Sequence, residues 1–350
     1  MMKFNWLLVV FLVGGISNSF AQQDSIVKAK VEQEPTYQVF YNDGVTQFET
    51  GKYEMAIGLF EQAVNMKPDF ERGHFLKGVA LFNLNKFNLA FEALNQALKI
   101  TPTFDAYYYV AQIQMKTKKF DEALVLLNKS ISLKKDYFNA YYSKGVIQFQ
   151  QKEYEFALKS FDSSLIYNPS FGFALNDRGS VKLELGKLDE AINDYKKATE
   201  KNPESAIVYN NLGSAYRKKG MFADAIKAYD KAIAIKNDYM LAYNNRGVAK
   251  IESGEFKSAI NDFNQALSID SKYVFAINNR ANAKNKLKDY NGALEDCSKA
   301  IEIDKAFGVA YLNRGIAKEN LNRLPEACED WKKALNLGVD QAKSFIEYCQ

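Results

Sequence analysis

Apolar and polar residues follow one another with a helical period through most of the chain. In the stretch containing Ala56, Ile57, Phe60, Ala63 and Val64, the apolar positions fall three and four apart, which gathers them on one face of an α-helix. Glycine interrupts such stretches at Gly51, Gly186, Gly220 and Gly254, where it suits the end of a helix. Pro68, Pro102, Pro169 and Pro203 break the chain again further on. The first twenty residues differ. Lys3 precedes an unbroken apolar run, Trp6 to Val13, then Ser17-Asn18 and the small residues of Ser19-Phe20-Ala21. That is the pattern of a secretory signal, with cleavage expected after Ala21. Residues 22–36 are polar and read as a linker or lead-in.

Self-similarity organises the rest. Alanine recurs at 56, 90, 123, 157, 191, 225, 259, 293 and 327, always 34 residues apart except for one interval of 33. Twelve residues before these come Gly44, Gly78, Ala111, Gly145, Gly179, Gly213, Gly247, Ala281 and Gly315, which we call the tiny slot (one residue nearer at none of the nine). Seven residues after the alanines stand Ala63, Ala97, Ser130, Ser164, Ala198, Ala232, Ala266, Ala300 and Ala334. Small residues on two successive helices let them approach closely and antiparallel. A large residue opening the second helix (Tyr53, Phe87, Phe120, Tyr154 and their equivalents) plugs the gap beside them. A lone hairpin cannot bury its apolar face, so neighbours must stack into a solenoid.

The period, the three small positions and the closing proline resemble the tetratricopeptide repeat. The resemblance covers 37–341 as nine units: 37–70, 71–103, 104–137, 138–171, 172–205, 206–239, 240–273, 274–307 and 308–341. It implies an all-α fold, a right-handed α-solenoid. Asp340 to Gln350 reads as a further helix, with Phe345, Ile346 and Cys349 on one face and Lys343, Glu347 and Gln350 on another. Its C-terminal part, 342–350, caps the stack.

Composition narrows the chemistry. The chain is 47% hydrophobic and 25% charged, ordinary for a folded protein, and its net charge of +4 with no long basic run is no nucleic-acid footprint. No segment after residue 21 has the length and hydropathy of a membrane span. One histidine and three cysteines exclude most zinc sites and histidine-based triads. His74 occupies a slot that is aromatic in six other units and reads as a packing residue, and Cys297 as a buried apolar one. Glycine-rich phosphate loops and metal-ligand clusters are missing from the sequence, so no cofactor and no catalysis are expected. Cys328 and Cys349 lie on the last unit and its cap. In the oxidising compartment that export implies, they are expected to form a disulfide, with two free thiols as the alternative.

Two patterns separate fold from function. Immediately before the tiny slot stand Arg178, Arg246, Arg280 and Arg314, each followed sixteen residues later by Asp194, Asp262, Asp296 or Asp330. The other five units have neither member, so the pairs are expected to be structural contacts, bidentate and partly buried. The second pattern lies on the first helix of each unit. Tyr41/Val45/Phe48, Phe75/Val79/Phe82, Tyr108/Gln112/Met115 and Tyr142/Val146/Phe149 form one stripe, which turns polar at Asn176, Asn210, Asn244 and Asn278. By resemblance this is the family's groove. An exposed aromatic row suggests an apolar or peptide partner, whereas a tight superhelix, or residues 22–36 folded back, would bury it.

Beside the stripe runs an asparagine row: Asn211, Asn245, Asn279 and Asn313. It looks like the ladder with which some family members, the O-linked GlcNAc transferase among them, hold a peptide backbone. Bonding to neighbouring helices is the alternative. The family's chaperone-tail clamp is not matched, because no lysine occupies its slot.

The expectation is therefore an exported, non-catalytic adaptor or scaffold of a bacterial cell envelope, periplasmic or secreted. It would bind a protein or extended peptide on its concave face. A carbohydrate or small-ligand binder using the aromatic stripe and a self-assembling solenoid are the alternatives, and a homo-oligomer stays open.

Overall fold

A computed structural model describes residues 36–349, with the side chain of Tyr348 left aside; the expected signal segment 1–21 and most of the lead-in lie outside the described residues. The chain is all-α. Eighteen helices alternate as first and second members of nine hairpins. In unit one these are Tyr37–Glu49 and Tyr53–Met66, in unit five Gly172–Glu184 and Leu188–Lys201, and in unit nine Gly308–Asn320 and Leu324–Asn336. Each hairpin packs on the next, and no strand occurs among the described residues.

The small residues explain the hairpin. A Cβ on Gly213 would sit 2.7 Å from the Tyr229 ring, closer than packed atoms approach. The glycine therefore admits the ring, which is fully buried, as are Phe60, Phe161, Phe263 and Trp331 at the same level of their units. Each such ring contributes about 2–3 kcal/mol of burial. The alanines at 56, 90 and their seven equivalents are completely buried.

The turn between the two helices needs one residue with positive φ. Gly51, Gly186, Gly220 and Gly254 supply it at +76°, +73°, +79° and +87°. Units without that glycine place Asn85, Lys118, Lys152, Lys288 or Asn322 at 58–65° and carry the associated strain. The loop between units runs four residues except after unit two, where only residues 101–103 separate helices ending at Ile100 and beginning at Phe104.

The C-terminal cap departs from expectation. Asp340 to Cys349 is not one helix but a 3₁₀ turn (Asp340–Ala342), one α-helical turn (Lys343–Ile346) and a second 3₁₀ turn (Glu347–Cys349). Cys349 bonds to Cys328, and the short tether pulls the segment tightly onto unit nine, where a regular helix would carry it past. Phe345, Ile346 and Cys349 pack on the cluster around Trp331 and Leu312, while Lys343 and Glu347 stay exposed. The third cysteine, Cys297, is buried, and burial pushes its thiol far above the ordinary range.

Candidate functional site

The stripe on the first helices is not a bare row of rings. Phe75, Val79, Gln112, Met115 and Val146 are buried, and Tyr41, Phe48, Phe82, Tyr108, Tyr142 and Phe149 are half-buried. The cause is a repeated edge-to-face contact. Tyr41 meets Phe70, Tyr108 meets Tyr137 and Tyr142 meets Phe171 at centroid distances of 5.0, 5.2 and 5.0 Å. In each case the partner is the aromatic residue that closes the same unit. Phe48, Phe82 and Phe149 pack likewise on the opening aromatics Tyr53, Phe87 and Tyr154. The rings thus serve the joints of the solenoid, each contact adding about 1 kcal/mol beyond burial. Burial raises the phenols of Tyr108 and Tyr142 well above their usual range.

The polar half of the stripe answers to the asparagine row across the joint. Asn211 Nδ2 donates to Asn176 Oδ1 at 3.1 Å, Asn245 to Asn210 at 3.0 Å, Asn279 to Asn244 at 3.0 Å and Asn313 to Asn278 at 2.9 Å. The same two slots touch upstream by other means. Tyr142 donates its hydroxyl to Asp177 at 2.9 Å, Gln112 Nε2, one turn after Tyr108, donates to Ser143 Oγ at 2.8 Å, and Phe75 packs edge-on against Tyr109 at 5.8 Å. One joint geometry is therefore served by rings in units two and three and by amides from unit five onward. Asp177 is the single carboxylate in this series. Burial pushes its pKa up to about 6, despite the hydrogen bonds from Tyr142 and Asn176.

Each arginine before the tiny slot holds its aspartate with two nitrogens. Arg178 reaches Asp194 at 2.8 and 2.7 Å, Arg246 reaches Asp262 at 3.0 and 2.6 Å, Arg280 reaches Asp296 at 2.9 and 2.6 Å, and Arg314 reaches Asp330 at 2.8 and 2.7 Å. A third member completes each group: Lys182, Lys250, Lys284 and Lys318 lie 2.8–2.9 Å from the same four carboxylates. Sequence reading missed these lysines, although they stand four residues after each arginine, one helical turn on, and in no other unit. The carboxylates are buried and doubly neutralised. Such groups fix the angle within a hairpin.

A further row escaped the sequence reading. Six residues before the tiny slot stand Phe173, Ile207, Leu241, Phe275 and Val309, one per unit from five to nine, each 38–52% exposed. In units one to four the same slot is polar: Gln38, Arg72, Asp105 and Asn139. The face therefore changes over twice at the same border: the stripe passes from rings to amides as the neighbouring slot passes from polar to apolar. The regular 34-residue spacing was the available signal.

Among the described residues no three His, Cys, Asp or Glu are grouped to hold a metal ion, and no helix is long and apolar enough to cross a membrane. His74 Nε2 lies 2.9 Å from the carbonyl oxygen of Pro68, at the end of unit one.

Nine stacked hairpins with small residues at three fixed positions define a helical-repeat protein of the solenoid class. Family profiles make this specific. Those described as TPR repeat match residues 179–220 and 213–251, and those described as tetratricopeptide repeat match 241–273 and 274–307. A profile of anaphase-promoting complex (cyclosome) subunit 3 matches 49–130. The chain belongs to the tetratricopeptide repeat family.

Solved structures share the fold. A tetratricopeptide repeat protein from Parabacteroides merdae is 20% identical with a TM-score of 0.58, over 70% of this chain and 97% of that one. The C-terminal part of a repeat protein from Cytophaga hutchinsonii is 22% identical with a TM-score of 0.53, over 68% and 98%. The Cut9-Hcn1 hetero-tetramer of the anaphase-promoting complex is 14% identical with a TM-score of 0.57, over 92% and 78%. No curated protein matches the chain.

Proposed function

We propose that this protein is a non-catalytic adaptor or scaffold that binds an extended protein segment along the concave face of its solenoid, chiefly across units five to nine. The observation that carries the reading is the row Phe173, Ile207, Leu241, Phe275 and Val309, half-exposed at one slot in five consecutive units. Apolar side chains repeated in register favour a partner that buries them together. The adjoining amides Asn211, Asn245, Asn279 and Asn313 spend one N–H each on the joint; Asn211 and Asn313 are buried there, and the partly exposed Asn245 and Asn279 keep a second donor for a peptide carbonyl. The half-buried stripe residues Tyr41, Phe48, Phe82, Tyr108, Tyr142 and Phe149 contribute to the same face through their exposed edges, after their main role in the joints, while Phe75 and Met115 support it from beneath.

An envelope location is part of this proposal. The Cys328–Cys349 bond suits an oxidising compartment, and the N-terminal sequence pattern suits export.

The test is a triple variant, Ile207→Ser, Leu241→Ser and Phe275→Ser, compared with Tyr108→Ala and Tyr142→Ala together. Photo-crosslinkers placed along the row in native cells should capture a partner that the triple variant loses at unchanged melting temperature. The tyrosine variant should melt earlier, because it opens two joints. Undiminished capture by the triple variant would refute the assignment of the row.

A further inference from the structure

A second surface stands apart from the first-helix face. The residue before the tiny slot, when it is a cation, reaches back across the joint to an acceptor on the second helix of the preceding unit. Lys77 meets Glu61 at 2.9 Å, Lys144 meets Asn128 at 3.0 Å, Arg178 meets Asp162 at 2.7 Å, Arg246 meets Asp230 at 2.6 Å and Arg280 meets Asn264 at 2.7 Å. Five joints thus repeat one contact. At the joint of units two and three the acceptor is kept as Asn95, but the cation is replaced by Val110. The other exceptions differ: Leu212 faces the slot of a lysine, Lys196, and Arg314 the slot of Ser298.

The missing side chain leaves room. A cleft of about 300 Å³ opens here, walled by Phe91, Val110, Val125 and Leu126, with Asn95, Gln114 and Glu122 as its polar members. Leu126 holds the slot of the buried aspartates and Gln114 that of the lysines. Glu122 corresponds to Glu190 and Glu326, which stand 3.4 and 3.8 Å from Lys182 and Lys318. Here the cation opposite Glu122 is gone as well. One cleft therefore collects two acceptors, each of which meets a cation elsewhere in the same molecule, around an apolar shaft.

We propose that this cleft takes an arginine side chain of a partner polypeptide. The aliphatic stem would lie against Val125 and Leu126, above the buried Val110, with the guanidinium over the Phe91 ring. Its N–H groups would donate to Asn95 Oδ1 and to the Glu122 carboxylate, as Arg280 does to Asn264. A cation is favoured over an aliphatic chain because both polar members occupy slots whose equivalents meet cations at other joints.

The test uses the full chain and three peptides, Ac-Gly-X-Gly-NH2, in which X is arginine, citrulline or norleucine. Binding is read from the side-chain amide resonance of Asn95. The arginine peptide should shift it saturably, citrulline should bind at least tenfold more weakly, and norleucine should leave it in place. Val110→Arg rebuilds the cation of the other joints from within and should abolish the arginine response while the far-ultraviolet spectrum is kept. Should that variant fail to fold, exposed Glu122→Gln should still weaken the arginine peptide at least threefold. Equal binding of norleucine or citrulline, or arginine binding unchanged by these substitutions, would overturn the proposal. None of these outcomes touches units five to nine.

Discussion

Replacing Asp177 by asparagine should remove a pH-dependent penalty from the joint between units four and five. Asp177 is buried, and its pKa rises from an ordinary 3.8 to about 6. A folded pKa above the unfolded one means that the folded state holds the extra proton between those values. The contribution of this one group to stability is therefore most favourable below pH 4, falls as pH rises from 4 to 6, and is level above. Two pK units amount to about 3 kcal/mol as an upper figure.

Asparagine can occupy the slot, because Asn211, Asn245, Asn279 and Asn313 do so in later units. Its Nδ2 would donate to the Tyr142 oxygen and its Oδ1 accept from Asn176. The Tyr142 hydroxyl would give up its acceptor, which returns about 1 kcal/mol. The net expectation for Asp177→Asn is a gain of about 1–2 kcal/mol at pH 7.5 and a loss of about 1 kcal/mol at pH 4. Urea unfolding of both proteins, followed by circular dichroism from pH 4 to 8, measures it. A wild type that gains on the variant as pH rises from 4 to 6 would show the carboxylate to be favourably ionised, against the reasoning.

Asp262→Ala strands Arg246 and Lys250 without their buried carboxylate and should cost about 3 kcal/mol, whereas Asp230→Ala removes the half-exposed partner and should cost under about 1 kcal/mol by the same melts. Equal losses would mean that the two carboxylates are not distinguished by burial. Cys328→Ser opens a loop of 21 residues and should cost about 3 kcal/mol on the loop-entropy account. It should also expose the segment after Gly338 to proteolysis, and a cleavage rate unchanged by the substitution would count against the tether.

The repeat, its hairpins and the close approach at the tiny slot were legible because they depend on residue size at fixed spacing. Arg178 and Asp194 could be paired on paper because both change together from unit to unit. Lys182 follows the same rule and was overlooked. The exposure of the tyrosines stayed open in the sequence for a physical reason: Tyr41 and Phe70 lie 29 residues apart, and only the fold brings the closing aromatic back onto the stripe. The asparagine row shows the same limit. Bonding to neighbouring helices was one of its two readings and is the one formed, but the partners lie 35 residues away, one slot out of step with the repeat, so the sequence did not name them. The broken cap follows from a bond whose effect on local helix geometry no residue pattern announces.

The tethered end gives the solenoid a direction of failure. A stack of near-identical units comes apart from its termini inward. At one terminus Phe345, Ile346 and a covalent link clamp the last hairpin; at the other, the opening helix Tyr37–Glu49 buries only Gly44. Unravelling by heat or by force should therefore start at Tyr37 and travel toward the cysteine latch. The apolar row of the later hairpins would be the last surface lost, and a captured strand would keep its grip while the leading units had already melted.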